Sequence, residues 1–203
     1  RSGKTLVREY IAEKKHNVML ILDTNMKMLG HSDGLEEKRE LAIMSAGTLA
    51  YFVIKNGDYV SAVYAGDEDV KFFPFKSELG ALEYVLESYH DDTKITNQSD
   101  INKTIDYVIK NFKRKMMVVI VTDIRGYKSI TDQNLKRLLV AHDVLALNSS
   151  DALPVKKGTY NMAEKRMLPR FMAGSKKLIN KMKENKSALE KETTDRLKKY
   201  GIS

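Results

Sequence analysis

The 203-residue chain contains no cysteine. That absence excludes disulfide bonds, thiolate catalysis and sulfur-ligated zinc or iron–sulfur centres, and it fits a reducing compartment. No apolar run approaches the roughly 18–20 residues of a membrane span, and the opening Arg1-Ser2-Gly3-Lys4 has no apolar leader core. The chain opens without methionine, so a longer parent is expected, with any anchor or leader outside this stretch. Arg1-Ser-Gly-Lys4-Thr5 lacks the upstream glycine and preceding strand of a phosphate-binding loop, and no serine sits in a Gly-x-Ser-x-Gly elbow. The four histidines, His16, His31, His90 and His142, have no zinc-site spacing and are expected at the surface or at caps.

What is present is a hydrophobic fraction of 42%, enough for one sizeable core. The net charge of +8 is not spread evenly. Lysine plus arginine against aspartate plus glutamate is 21 to 21 over residues 1–150, and 14 to 6 over 151–203. The basic excess therefore belongs to the tail, where lysines alternate with Leu178, Ile179, Met182 and Leu189 as in an amphipathic helix with a solvated face. Aromatic stacking platforms and a base-reading helix are missing, so no nucleic acid is expected as partner; a tail that binds nucleic acid or anionic lipid is the rival reading.

Strand-like and helix-like segments alternate. Val18–Leu22 and Met116–Val121 are short runs apolar on both faces, the signature of central parallel strands, and they deliver Asp23 and Asp123 at their carboxyl ends. Between them, Glu36–Lys55 carries apolar residues at Leu41, Met44, Thr48, Leu49, Phe52 and Val53 and stops at Asn56-Gly57-Asp58, which predicts a helix with that stripe inward. Tyr59–Tyr64 and Val70–Phe75 form a hairpin whose second arm, with Pro74, belongs at the sheet edge. Helices are expected at Leu79–Tyr89, Ser99–Phe112 and Asp132–Leu139, and a strand at Val144–Leu147. The fold class is α/β, a doubly wound, mostly parallel sheet with one antiparallel edge strand and helices on both faces. Residues 1–150 form its main body and 151–203 a basic, mainly helical extension packed on or completing the same domain.

In such a sheet, ligands collect beyond the carboxyl ends of the strands where strand order reverses, which singles out Asp23 and Asp123. Leu22-Asp23-Thr24-Asn25-Met26-Lys27-Met28 resembles the Asp-x-Ser-x-Ser start of the metal-ion-dependent adhesion site of von Willebrand factor A domains. Gln98-Ser99-Asp100 sits where those domains carry a threonine loop, and Val121-Thr122-Asp123 looks like their fourth-strand end. Val7-Arg8-Glu9-Tyr10, Gly57-Asp58-Tyr59-Val60, Ala141-His142-Asp143-Val144 and Leu153-Pro154 are similar to the bacterial domain-of-unknown-function 58 family.

The resemblance implies a protein-interaction module, not an enzyme. It also implies a membrane-anchored parent with this portion in the cytoplasm, and work with a MoxR-type AAA+ ATPase in assembly of other proteins. A metal-dependent hydrolase using Asp23 and Asp123 is a further alternative. The adhesion motif is partly rewritten: Asp23, Asn25, Ser99 and Asp123 keep oxygen donors, whereas the second serine position is Lys27. Three outcomes stay open. Lys27 replaces the cation and pairs with Asp23 and Asp123; or Lys27 faces solvent while Asp23 caps a turn; or Mg²⁺ or Mn²⁺ is bound. No resident cofactor is expected, and Lys27, Met26 and Met28 are expected to meet the partner.

Overall fold

A computed structural model describes residues 15–31, 36–66, 69–149, 160–161, 166–167 and 176–202. Arg1-Ser-Gly-Lys4-Thr5, Val7–Tyr10 and Leu153-Pro154 lie outside the described residues. The main sheet has five strands: β1 (Asn17–Leu22), β2 (Tyr59–Ala65), β3 (Val70–Lys76), β4 (Met117–Asp123) and β5 (Asp143–Ser149). Their order is β3-β2-β1-β4-β5. β1 pairs in parallel with both β2 and β4, β4 pairs in parallel with β5, and only β3 runs antiparallel. The order reverses between β1 and β4, so the switch point lies at the ends of these two strands.

Both faces of the central strands are apolar because both are covered. Leu20, Leu22, Ala62, Tyr64, Val119 and Val121 face one half-core beneath α1 (Lys38–Lys55) and α2 (Leu79–Asp92). Met19, Ile21, Val63, Val118 and Ile120 face the other, beneath α3 (Ile101–Asn111) and α5 (Asp132–Ala141). Each fully buried Leu, Ile or Met contributes roughly 1.5–3 kcal/mol, so these two layers hold the fold and leave the strand ends free for polar chemistry.

The α1 stripe turns out differently from the sequence expectation. The face against the sheet is Ala42, Ala46 and Ala50, all buried, while Met44 and Phe52 are 64% and 61% exposed. Small side chains let the helix backbone lie close to the sheet; Leu49 and Val53 of the expected stripe pack at the edge of this core, partly buried. The helix stops where expected, with Gly57 at φ +82°. Pro74 does lie in the edge strand; the register shifts beside it, and the Ser61 hydroxyl donates to the Phe73 carbonyl at 2.6 Å.

A short helix absent from the sequence reading, α4 (Ile124–Ser129), follows β4 directly. α6 (Lys176–Lys199) is the terminal helix, and a two-strand ladder pairs Tyr160–Asn161 with Arg166–Met167. The end of α6 docks beside α4. Arg196 donates to the Tyr127 and Ile130 carbonyls and pairs with Asp132, and Ile202 is buried in the second half-core. His142 lies at the end of α5 and is buried, not at the surface; burial lowers its imidazole below the ordinary value.

Candidate functional site

The register of β1 and β4 aligns Leu22 with Val121, and the Asp23 amide donates to the Val121 carbonyl at 3.1 Å. Asp23 and Asp123 thus leave neighbouring strands at the switch point. Both are buried. Asp123 turns into α4, where its Oδ1 accepts the Gly126 amide at 2.7 Å. Asp23 Oδ2 accepts the Thr122 hydroxyl at 2.6 Å and Oδ1 accepts the Asn25 amide at 3.0 Å. Gly126 is required here: a Cβ on it would lie 1.8 Å from Thr122 Oγ1 and 3.0 Å from Asp23 Oδ2.

The next loop is tied down on three sides. The Thr24 hydroxyl donates to the Ala65 carbonyl at 2.5 Å and shares a bond with the Ser99 hydroxyl at 3.0 Å. Asn25 Nδ2 donates to the Ser99 carbonyl at 2.9 Å, and its Oδ1 accepts the Lys27 amide at 3.1 Å, capping a one-turn 3₁₀ helix at Met26–Leu29. Met26 N–H bonds the Asn97 carbonyl at 2.8 Å, and the Tyr89 hydroxyl donates to the Asp23 carbonyl at 2.9 Å. Asp23, Asn25, Ser99 and Asp123 lie at one end of the sheet.

The cation beside them comes from α1. Lys38, the first residue of α1, directs its ammonium to Asp123 Oδ2 at 2.5 Å, with side chains 3% and 1% exposed. Lys27 is half-buried and makes no ion pair with a described carboxylate. Of the outcomes the sequence left open, pairing of Lys27 with both aspartates is not the one seen: Asp23 caps the turn through the Asn25 amide, and α1 supplies the lysine beside Asp123. The expectation for Met26 and Met28 is corrected. Both are buried, Met28 completely and within the first half-core, because the same turn folds the chain back under itself.

Burial pushes the Asp23 carboxyl above its ordinary value; the Thr122 and Asn25 bonds oppose the rise, the Asp123 charge adds to it, and the Lys27 charge opposes it weakly. Lys38 compensates the charge of Asp123.

The oxygens of this set do not fit a resident divalent cation while Lys38 stands there. Each carboxylate oxygen already accepts a hydrogen bond from the chain. A hard cation seeks about six oxygens, and an ammonium within ~4 Å of a doubly charged ion costs roughly 8 kcal/mol at an effective dielectric of about 20. Among the described residues no group of three or more histidine, aspartate or glutamate side chains could hold a metal.

The family whose model matches residues 1–164 is described as protein of unknown function DUF58. The chain belongs to the DUF58 family. Among solved structures, this DUF58 chain is similar to an aerotolerance-related membrane protein from Bacteroides fragilis NCTC 9343 carrying multiple mutations to serine, at 13% identity over 92% of this chain and 98% of that one, with a TM-score of 0.48. It is similar to the conserved hypothetical protein BatB from Bacteroides thetaiotaomicron at 16% identity over 90% and 99% of the two chains, with a TM-score of 0.46. The SpRpn10 VWA domain matches at 10% identity over 67% and 77%, with a TM-score of 0.42. No curated protein sequence matches significantly. In the DUF58 chain no described helix is long and apolar enough to cross a membrane.

Two features of the site escape a reading of the motif alone. Lys38 is 85 positions from Asp123, and its signal is a lysine in the first turn of a helix, where the positive end of the helix disfavours a cation. Arg39 follows it: it pairs with Glu37 at 2.9 Å and donates to the His90 and Thr93 carbonyls at the end of α2, fixing the start of α1 beside the site.

Proposed function

We propose that this domain is a protein-interaction module, not an enzyme, whose binding face surrounds a buried lysine–aspartate pair and works without a metal. The observation that carries the reading is the Lys38–Asp123 contact at 2.5 Å, enclosed where an adhesion-type fold would hold its cation. A partner's carboxylate cannot complete a coordination sphere that an ammonium fills. Nucleophilic or general-base work by Asp23 or Asp123 is equally disfavoured, since both carboxylates are buried and engaged by the chain.

What the partner meets is the rim. Ile95 is 64% exposed on the loop that also carries Asn97 and Ser99, and the Met26–Asn97 backbone bond brings the Lys27 turn against that loop. An apolar contact at Ile95 with a carboxylate received by Lys27 suits such a rim. The parent is a membrane-associated protein with this portion in the cytoplasm, and the partner is a MoxR-type AAA+ ATPase of the same organism. The test is biolayer interferometry against that ATPase with EDTA or with Mg²⁺. Binding unchanged by EDTA, and weakened at least about tenfold by Ile95→Asp and by Lys27→Glu, supports the reading. No binding to the ATPase rejects that partner, and binding abolished by EDTA rejects the metal-free face.

A further inference from the structure

We infer that the switch point is a closed divalent-cation site: the Lys38 ammonium is a tethered cation, and removing it leaves Asp23, Asn25, Ser99 and Asp123 able to take a hard divalent ion such as Mn²⁺. This goes beyond the proposed partner binding and needs no partner to be tested.

The oxygen-bearing side chains are already gathered. Asp23 and Asp123 leave adjacent strands in register, Asn25 lies two residues beyond the first, and Asn25 and Thr24 both bond Ser99, which keeps that residue at the same edge. These anchors are made by the backbone and by neutral side chains, so they do not depend on the lysine. Thr24 is held by the Ala65 carbonyl, the Asn25 amide bonds Asp23, and Gly126 holds Asp123. Lys38 enters from α1, an element that contributes none of the four donors. Its stem is enclosed by the preceding loop: a Cβ on Gly30 would lie 3.4 Å from Lys38 Cε. Truncating this side chain opens space beside Asp123, and the bonds that hold Thr24, Asn25 and Gly126 do not use the lysine.

Electrostatics points the same way. A cation at the start of a helix gains nothing from the helix and is held there by the carboxylate. Without it, two buried carboxylates remain with no compensating charge at Asp123. A divalent ion restores that balance. Water supplies the remaining oxygens, as hard cations at carboxylate sites accept.

The experiment compares the native chain, Lys38→Ala and the double variant Lys38→Ala/Asp123→Asn, each melted in EDTA and in 10 mM Mn²⁺ (about 10 to 100 times the dissociation constant of a weak carboxylate site), with Mn²⁺ binding counted by electron paramagnetic resonance. The native chain is expected to bind no Mn²⁺ and to shift by less than about 1 °C. Lys38→Ala is expected to bind one ion and to gain roughly 3–10 °C over its own melting point in EDTA; the double variant gains nothing. Should Lys38→Ala be unfolded in EDTA, folding on addition of Mn²⁺ supports the inference. Failure to fold with Mn²⁺ while the double variant folds overturns it, as does a folded Lys38→Ala that binds no ion or a native chain that binds Mn²⁺ as tightly as the variant.

Discussion

Lys38 Nζ and Asp123 Oδ2 are 2.5 Å apart across two elements separated by 85 positions, in a pocket that excludes water from both side chains. A buried pair of this kind returns little net stability, because desolvation consumes most of the attraction, but breaking it from one side strands a charge. Lys38→Met is expected to cost about 3–5 kcal/mol. Adding Asp123→Asn, which keeps an oxygen for the Gly126 amide, is expected to recover most of that loss. Urea unfolding of the four members of the cycle measures the coupling; independent, additive losses would show that the two side chains do not act as a pair.

Asp23 gives the domain a pH signature. Its folded carboxyl lies above the unfolded value of about 3.9, because burial dominates. The folded state therefore holds this proton more tightly than the unfolded state. The stability this contributes is complete below about pH 4 and is lost as pH rises through the folded value. Asp23→Asn removes the titration. Its urea midpoint, measured from pH 4 to 8, is expected to gain on the native chain as pH rises; parallel curves would show that Asp23 titrates normally.

Gly126 is the steric keystone over the two aspartates. Gly126→Ala places a methyl group into the Thr122 hydroxyl and against Asp23, so α4 or the strand end must shift. Overpacking of this kind costs about 1–3 kcal/mol. A melting-point series with Gly47→Ala as comparison, whose Cβ meets only the flexible Leu86 side chain at 3.0 Å, is expected to show the larger loss at Gly126. Equal losses would place the constraint elsewhere.

Much of this architecture is written locally. β1 and β4 are legible because a strand covered on both faces is apolar at every position, and each ends abruptly in an aspartate. Pro74 marks β3 as an edge because it has no amide to give to a neighbour. The inward face of α1 is not legible by size, since alanines pack closest and leave Met44 and Phe52 outside. In the same way, Asp23 and Asp123 can be read from the strand ends, while Asn25 and Ser99 come from the resemblance to the adhesion motif. Lys38 belongs to the site only through the crossing of α1 over the strand ends, so the nearer lysine, Lys27, draws attention in its place.

The terminal helix is anchored chiefly by Arg196. Its guanidinium reaches the Ile130 carbonyl at 2.6 Å and the Tyr127 carbonyl at 3.3 Å, and it holds the Asp132 carboxyl below the usual range. Arg196→Ala leaves those carbonyls to water and loosens the docking of Leu197, Tyr200 and Ile202. Amide exchange over residues 193–202 is expected to quicken at least about tenfold, a change of roughly 1.4 kcal/mol in local opening, while β1 and β4 keep their protection. Unchanged exchange in the helix would mean that Leu197 and Ile202 suffice.

The most direct test of a lysine in the cation's place is a crystal of the native domain grown at neutral pH and soaked in Mn²⁺, with anomalous diffraction collected at the manganese edge. The predicted map has no manganese peak among Asp23, Asn25, Ser99 and Asp123, and density for the Lys38 ammonium against Asp123. A peak held by Asp23 and Asp123, with Lys38 turned away, would contradict the account.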